Sequence, residues 1–186
     1  MRVCQGFSLL ELMIVLAIIA VFSTLTAFFS QNLLNNNAAS THINNLAGAV
    51  QLARNEAILG GEMVTLCHSE DAKVCGGEWQ DGQLVFVDRN ANRQVDSEDN
   101  ILRVWPALAK GATLRWQAFG ATHSLQFQPT GFTNGQNGTF IYCPSPTATT
   151  TARGLIVAQS GRVRFTQADA NGQHLDNNAE PLNCAK

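Results

Sequence analysis

One stretch limits what this chain can become more than any other. From Phe7 to Phe29 it reads FSLLELMIVLAIIAVFSTLTAFF, with a single charged residue, Glu11. Roughly 20 apolar residues in a helix cross a bilayer core, so the run is long enough to span a membrane. An acid placed centrally in such a span costs about 2.5–3.5 kcal/mol, and less near the interface. Glu11 therefore needs a reason, and an acid in this setting is a functional-site candidate. A conventional secretory signal has its small-residue cleavage site after the apolar core. The continuation here, SQNLLNNNAAS from position 30, fits that poorly. Cys4 has no apolar core ahead of it, which argues against lipidation. An ordinary signal anchor is the plain alternative.

The order Gly6, Phe7, Glu11, apolar span resembles the class III signal of type IV prepilins and type II secretion pseudopilins. That resemblance implies removal of the leader MRVCQG (residues 1–6) by prepilin peptidase and methylation of the new N-terminal Phe7. It also implies a single-pass inner-membrane protein with its head in the periplasm, which later enters a filament. Residues 66–104, together with FIYCPS (140–145) and ARGLIVAQSGRVRF (152–165), resemble the head shared by FimU, FimT and GspH proteins. This implies a minor pilin of a type IV pilus, priming or tip-proximal, with other minor and major pilins as partners. Two alternatives stay open. One is a DNA-binding minor pilin serving DNA uptake in natural transformation; the other is a GspH-like minor pseudopilin working with type II secretion components.

The formal charge of −2 over 186 residues, with no run of like charge, gives no whole-protein argument for nucleic acid or an anionic membrane surface. Cys4 falls in the leader. Cys67, Cys75, Cys143 and Cys184 fall beyond the span, where an oxidising compartment favours disulfides. Four cysteines allow three pairings. The favoured one joins Cys67 to Cys75 across a short loop and Cys143 to Cys184, tying the C-terminus to a strand. Each bond contributes about 2–4 kcal/mol. A zinc site involving His68 is the competing reading.

After the span (residues 7–29), residues 30–60 predict an amphipathic helix. Ile43, Leu46, Ala47, Val50, Ala53, Ala57 and Ile58 recur at three and four positions. Gly60-Gly61 stops it, and Asn35–Asn37 is expected to loosen it. Residues 61–186 then read as short strands between turn residues. They are Met63–Cys67, Gln83–Asp88, Ile101–Trp105, Thr113–Ala118, Ser124–Gln128, Thr139–Cys143, Gly154–Gln159 and Arg162–Thr166. Without helical patterns between them, antiparallel sheets follow. The fold class is α+β: a long N-terminal helix packed on a β-rich head, the pilin fold. Residues 144–151, rich in Pro and Thr, read as a solvated loop.

Three constellations could carry chemistry. Glu11 could be neutralised by the Phe7 ammonium of a neighbouring subunit, because pairing opposite charges in low dielectric offsets their desolvation. Such pairing would fix the height at which each subunit packs. Asp88, Asn90, Asn92, Asp96 and Asp99 nearly follow a calcium-loop spacing. Arg93, however, replaces the glycine of the turn, and Asp99 replaces the bidentate Glu. A polar β-hairpin explains the same residues. Arg162 and Arg164, two apart in a strand, share a face that Arg153 could join, and Phe165 would turn the other way into the core. Guanidiniums grouped in this way can grip phosphate. The resemblance to FimT-type pilins implies DNA capture. No nucleophile elbow, phosphate loop or paired-carboxylate cleft is legible, and His42, His68, His123 and His174 are scattered. An enzyme is not expected, nor a cofactor or metal. Trp79, Trp105 and Trp116 read as packing residues.

Overall fold

The computed structural model describes residues 8–120 and 123–184, apart from the side chains of residues 24–34. The chain falls into two compact units, Met1–Asn37 and Ala38–Lys186. One helix, α1 (Leu9–Gly60), supplies residues to both. Asn35–Asn37 do not interrupt it. Asparagine costs no more than about 0.7 kcal/mol per residue against alanine, too little to break a long helix.

In the first unit Ser8 caps the helix. Its Oγ accepts the Glu11 N–H at 3.2 Å, and its carbonyl accepts the Leu12 N–H at 3.2 Å. Side chains from Leu9 to Phe22 are exposed on every side, and a helix apolar all round has no face suited to water. Of the expected span, residues 7–29, Phe7 and the side chains of residues 24–29 lie outside the described residues. Among the described residues no helix is long and apolar enough to cross a membrane.

In the second unit, α1 buries Ala39, Ile43, Leu46, Ala47, Val50, Ala53 and Ala57, the three-and-four spacing of a single stripe. Its small residues let the helix lie close to the sheets. Ile58, expected on the stripe, is instead 44% exposed at its rim. The helix ends where the Gly61 N–H bonds the Ala57 carbonyl at 3.1 Å, with Gly61 at φ +67.

Eight strands follow: β1 (Val64–His68), β2 (Gln83–Val87), β3 (Asn100–Trp105), β4 (Thr113–Phe119), β5 (Ser124–Phe127), β6 (Asn137–Cys143), β7 (Arg153–Val157) and β8 (Val163–Phe165). Each lies within a few residues of its expected place. They form two four-stranded sheets, β3-β2-β1-β5 and β4-β6-β7-β8, and every neighbouring pair is antiparallel.

Because side chains alternate along a strand, each sheet has two faces. Val64, Leu66, Val85, Leu125 and Phe127 of one sheet join Leu114, Trp116, Phe140, Leu155 and Val157 of the other in a core shared with the helical stripe. Trp116 stacks on Phe140 with ring centres 4.2 Å apart, and Trp79 meets the same ring edge-on at 4.9 Å. The outer faces carry two smaller cores. Cys67, Leu84 and Phe86 lie with Cys75 and Val95, while Ile141, Cys143 and Ala152 lie under Leu182 and Cys184 of the tail. One disulfide stands in each: Cys67–Cys75, with Cα atoms 5.7 Å apart, and Cys143–Cys184, at 5.8 Å.

Candidate functional site

Gly6 and Phe7 lie outside the described residues. Glu11 is exposed in the capped first turn of α1. There the backbone N–H groups and the helix dipole favour a negative charge by about 0.3–1 kcal/mol. The carboxylate is thus compatible with the helix start and open to a partner.

Strand register separates the three arginines. Ile156 pairs with Arg164 and Val157 with Val163, so Arg162 and Arg164 share a side with Ile156. They line one hollow of about 270 Å³ with Ile156 and Ala158. Arg153 has the parity of Leu155 and Val157, on the other side. Its guanidinium donates to the carbonyl of Ala152 at 2.9 Å, and burial pushes its pKa down. The expected trio is therefore a pair. Arg164 donates to Asn177 Oδ1 at 2.6 Å; the Arg162 carbonyl accepts the Ala158 N–H at 2.9 Å, while its exposed side chain makes no hydrogen bond or ion pair among the described residues. Phe165 is not core as expected. It is 48% exposed, on the edge strand β8.

The 88–99 loop joins β2 to β3 as a hairpin, and its carboxylates accept bonds from within the chain. Buried Asp88 accepts the Thr65 hydroxyl and the Gln126 amide at 2.7 Å each, plus the backbone N–H of Arg93 at 2.9 Å and Asn92 at 3.1 Å. Asp96 accepts the Asn90 and Asn92 amides, and Asp99 accepts the Arg89 and Asp96 N–H groups. Among the described residues no group of three or more His, Cys, Asp or Glu side chains could hold a metal ion. Four of the five cysteines are tied up in disulfides, which removes the thiolates that a zinc reading with His68 would draw on.

Two features had no sequence signal. Arg54 reaches from the helix to the Gly131 carbonyl, donating through Nε at 2.9 Å, beside the turn at Gly161. His68 and His123, 55 residues apart in the chain, face each other with Nε2 and Nδ1 3.4 Å apart. Only the β1–β5 register could have brought them together.

A helix whose later turns pack on antiparallel sheets, and whose capped first stretch is apolar apart from Glu11, defines a pilin-type subunit. Residues 42–161 match the family described as type II transport protein GspH, and residues 1–27 match the prokaryotic N-terminal methylation motif. The chain belongs to the GspH family. Two crystal structures of the type IV minor pilin FimU of Pseudomonas aeruginosa share its fold, with TM-scores of 0.57 and 0.51. Both are 21% identical and cover 70% of this chain, and 90% and 91% of their own. The minor pseudopilin EpsH of the Vibrio cholerae type 2 secretion system gives 0.50 at 13% identity, over 68% of this chain and 94% of its own. No curated protein matches the sequence. The family and these neighbours are structural pilins.

Proposed function

We propose that this chain is a minor pilin of a type IV pilus, cut by prepilin peptidase after Gly6, held in the inner membrane by its first helix, and drawn from there into the filament. The observation that carries the reading is Glu11: an exposed carboxylate at the capped start of a helix otherwise apolar on every side. Outside water such a charge is tolerated when an opposite charge meets it, and the Phe7 ammonium of an adjacent subunit is the natural mate. The second unit then presents the head to other minor and major pilins. Glu11→Leu should leave membrane insertion intact and abolish recovery of the subunit in sheared filaments. Normal recovery of that variant refutes the role. A pseudopilin would instead show itself if deletion of the gene stopped protein secretion and left surface filaments intact.

A second reading, contact with DNA, draws support from the exposed guanidinium of Arg162 beside Arg164. Replacing both by Gln should weaken a mobility shift seen at low salt and lower its salt dependence. An unchanged shift, or none in the parent chain, ends that reading.

A further inference from the structure

We propose that His68 and His123 form a two-imidazole chelate for a divalent transition-metal ion of the zinc type, outside the helix and arginine features described above. His68 ends β1 and His123 immediately precedes β5, one step beyond the register in which Cys67 faces Ser124. The separation of their facing nitrogens decides between two chemistries. A good hydrogen bond involving a ring N–H places the heavy atoms about 2.7–3.2 Å apart. Two imidazoles bound to one tetrahedral ion at about 2.0–2.1 Å hold their nitrogens roughly 3.3–3.4 Å apart. The observed 3.4 Å is long for the first and matches the second.

The setting suits a chelate. His68 is only 6% exposed, and Trp79 meets its ring edge-on at 5.4 Å, so the inner ligand is held in place before any ion arrives. His123 is exposed and gives the ion a way in. The pair opens on a hollow of about 380 Å³ that Asn92, Arg93 and Gln94 also line. Imidazole favours zinc, copper and nickel over calcium or magnesium. With two protein ligands, the remaining positions go to water, a side-chain amide oxygen or a donor from an adjacent subunit. The guanidinium of Arg93 near the hollow keeps the affinity moderate.

The test uses the full chain in detergent, disulfides intact, with Cys4→Ser removing the one thiol outside the disulfides. Zn²⁺ is titrated calorimetrically, and Co²⁺ is added as an optical probe. One ion per chain and the intense visible absorption of tetrahedral Co²⁺ are expected. His123→Ala should weaken Zn²⁺ binding at least roughly tenfold and erase the absorption. Because His123 is exposed, this variant keeps the fold, and far-ultraviolet circular dichroism checks that. His68→Gln should act likewise if it folds, but the proposal stands or falls on His123→Ala. No Zn²⁺ binding by the parent chain, or equal binding by His123→Ala, overturns it.

Discussion

The buried carboxylate of Asp88 should be the most sensitive polar position in the head. Replacing it with Ala removes one acceptor from four donors. Two of these, the Thr65 hydroxyl and the Gln126 amide, are fully buried; the Asn92 and Arg93 backbone groups lie in a loop that water reaches. A buried donor left without a partner costs about 1–3 kcal/mol. Two such losses come to roughly 2–6 kcal/mol, and the Gln126–Thr65 bond at 3.0 Å, which survives, draws the sum toward about 2–4 kcal/mol. Asp96→Ala is the control. It also loses two amide donors, but at an exposed site where water replaces it, so a change below about 0.5 kcal/mol is expected. Urea unfolding followed by circular dichroism, disulfides intact, reads both as midpoint shifts at constant slope. If Asp88→Ala moved the midpoint no further than Asp96→Ala, the reasoning would be wrong, and the loop would be held by its backbone turns alone.

Two glycines should respond with opposite sign. Gly161, buried at φ +75, has no room for a Cβ, which would overlap the Gly131 carbonyl oxygen and sit 2.7 Å from Arg54 Nε; Gly161→Ala should cost more than about 2 kcal/mol. Gly48, on the exposed side of α1 with nothing within 4 Å, should gain about 0.5–1 kcal/mol as Ala, read by the same unfolding assay. His42 stacks on Tyr142 at 5.0 Å, and burial lowers its pKa. The unfolded chain therefore takes up a proton first as pH falls, and stability should decline from about pH 7 toward pH 5. His42→Phe should flatten that decline in urea midpoints measured across the window. Part of the slope should remain from His174, whose pKa burial and the Arg153 charge also lower.

The strands are legible in the sequence because each is a short apolar run closed by turn residues, and the helical stripe because its spacing follows from geometry. What no sequence pattern shows is which strand lies beside which. Without that, Arg153 falls on the wrong side, since one residue of parity reverses a face. Phe165 likewise reads as core, although β8 ends its sheet. Ile58 fits the stripe by spacing but falls at its last turn, where the covering layer ends. Asp88 has the pattern of a turn former or a cation ligand; only β5, on the far side of β1 from β2, supplies the Gln126 that shows it to be a buried acceptor. At the helix start, the Ser8–Glu11 spacing is present in the chain, yet only the folded first turn shows the Ser8 hydroxyl accepting the Glu11 N–H.

The two disulfides join consecutive cysteines, 67 with 75 and 143 with 184, and neither bridge straddles the other. A head delivered from its helix end into an oxidising compartment can therefore couple its thiols in the order they arrive. The first pair closes within eight residues, well before the second pair exists. An oxidant acting vectorially yields the native links directly, and no later shuffling by an isomerase is required.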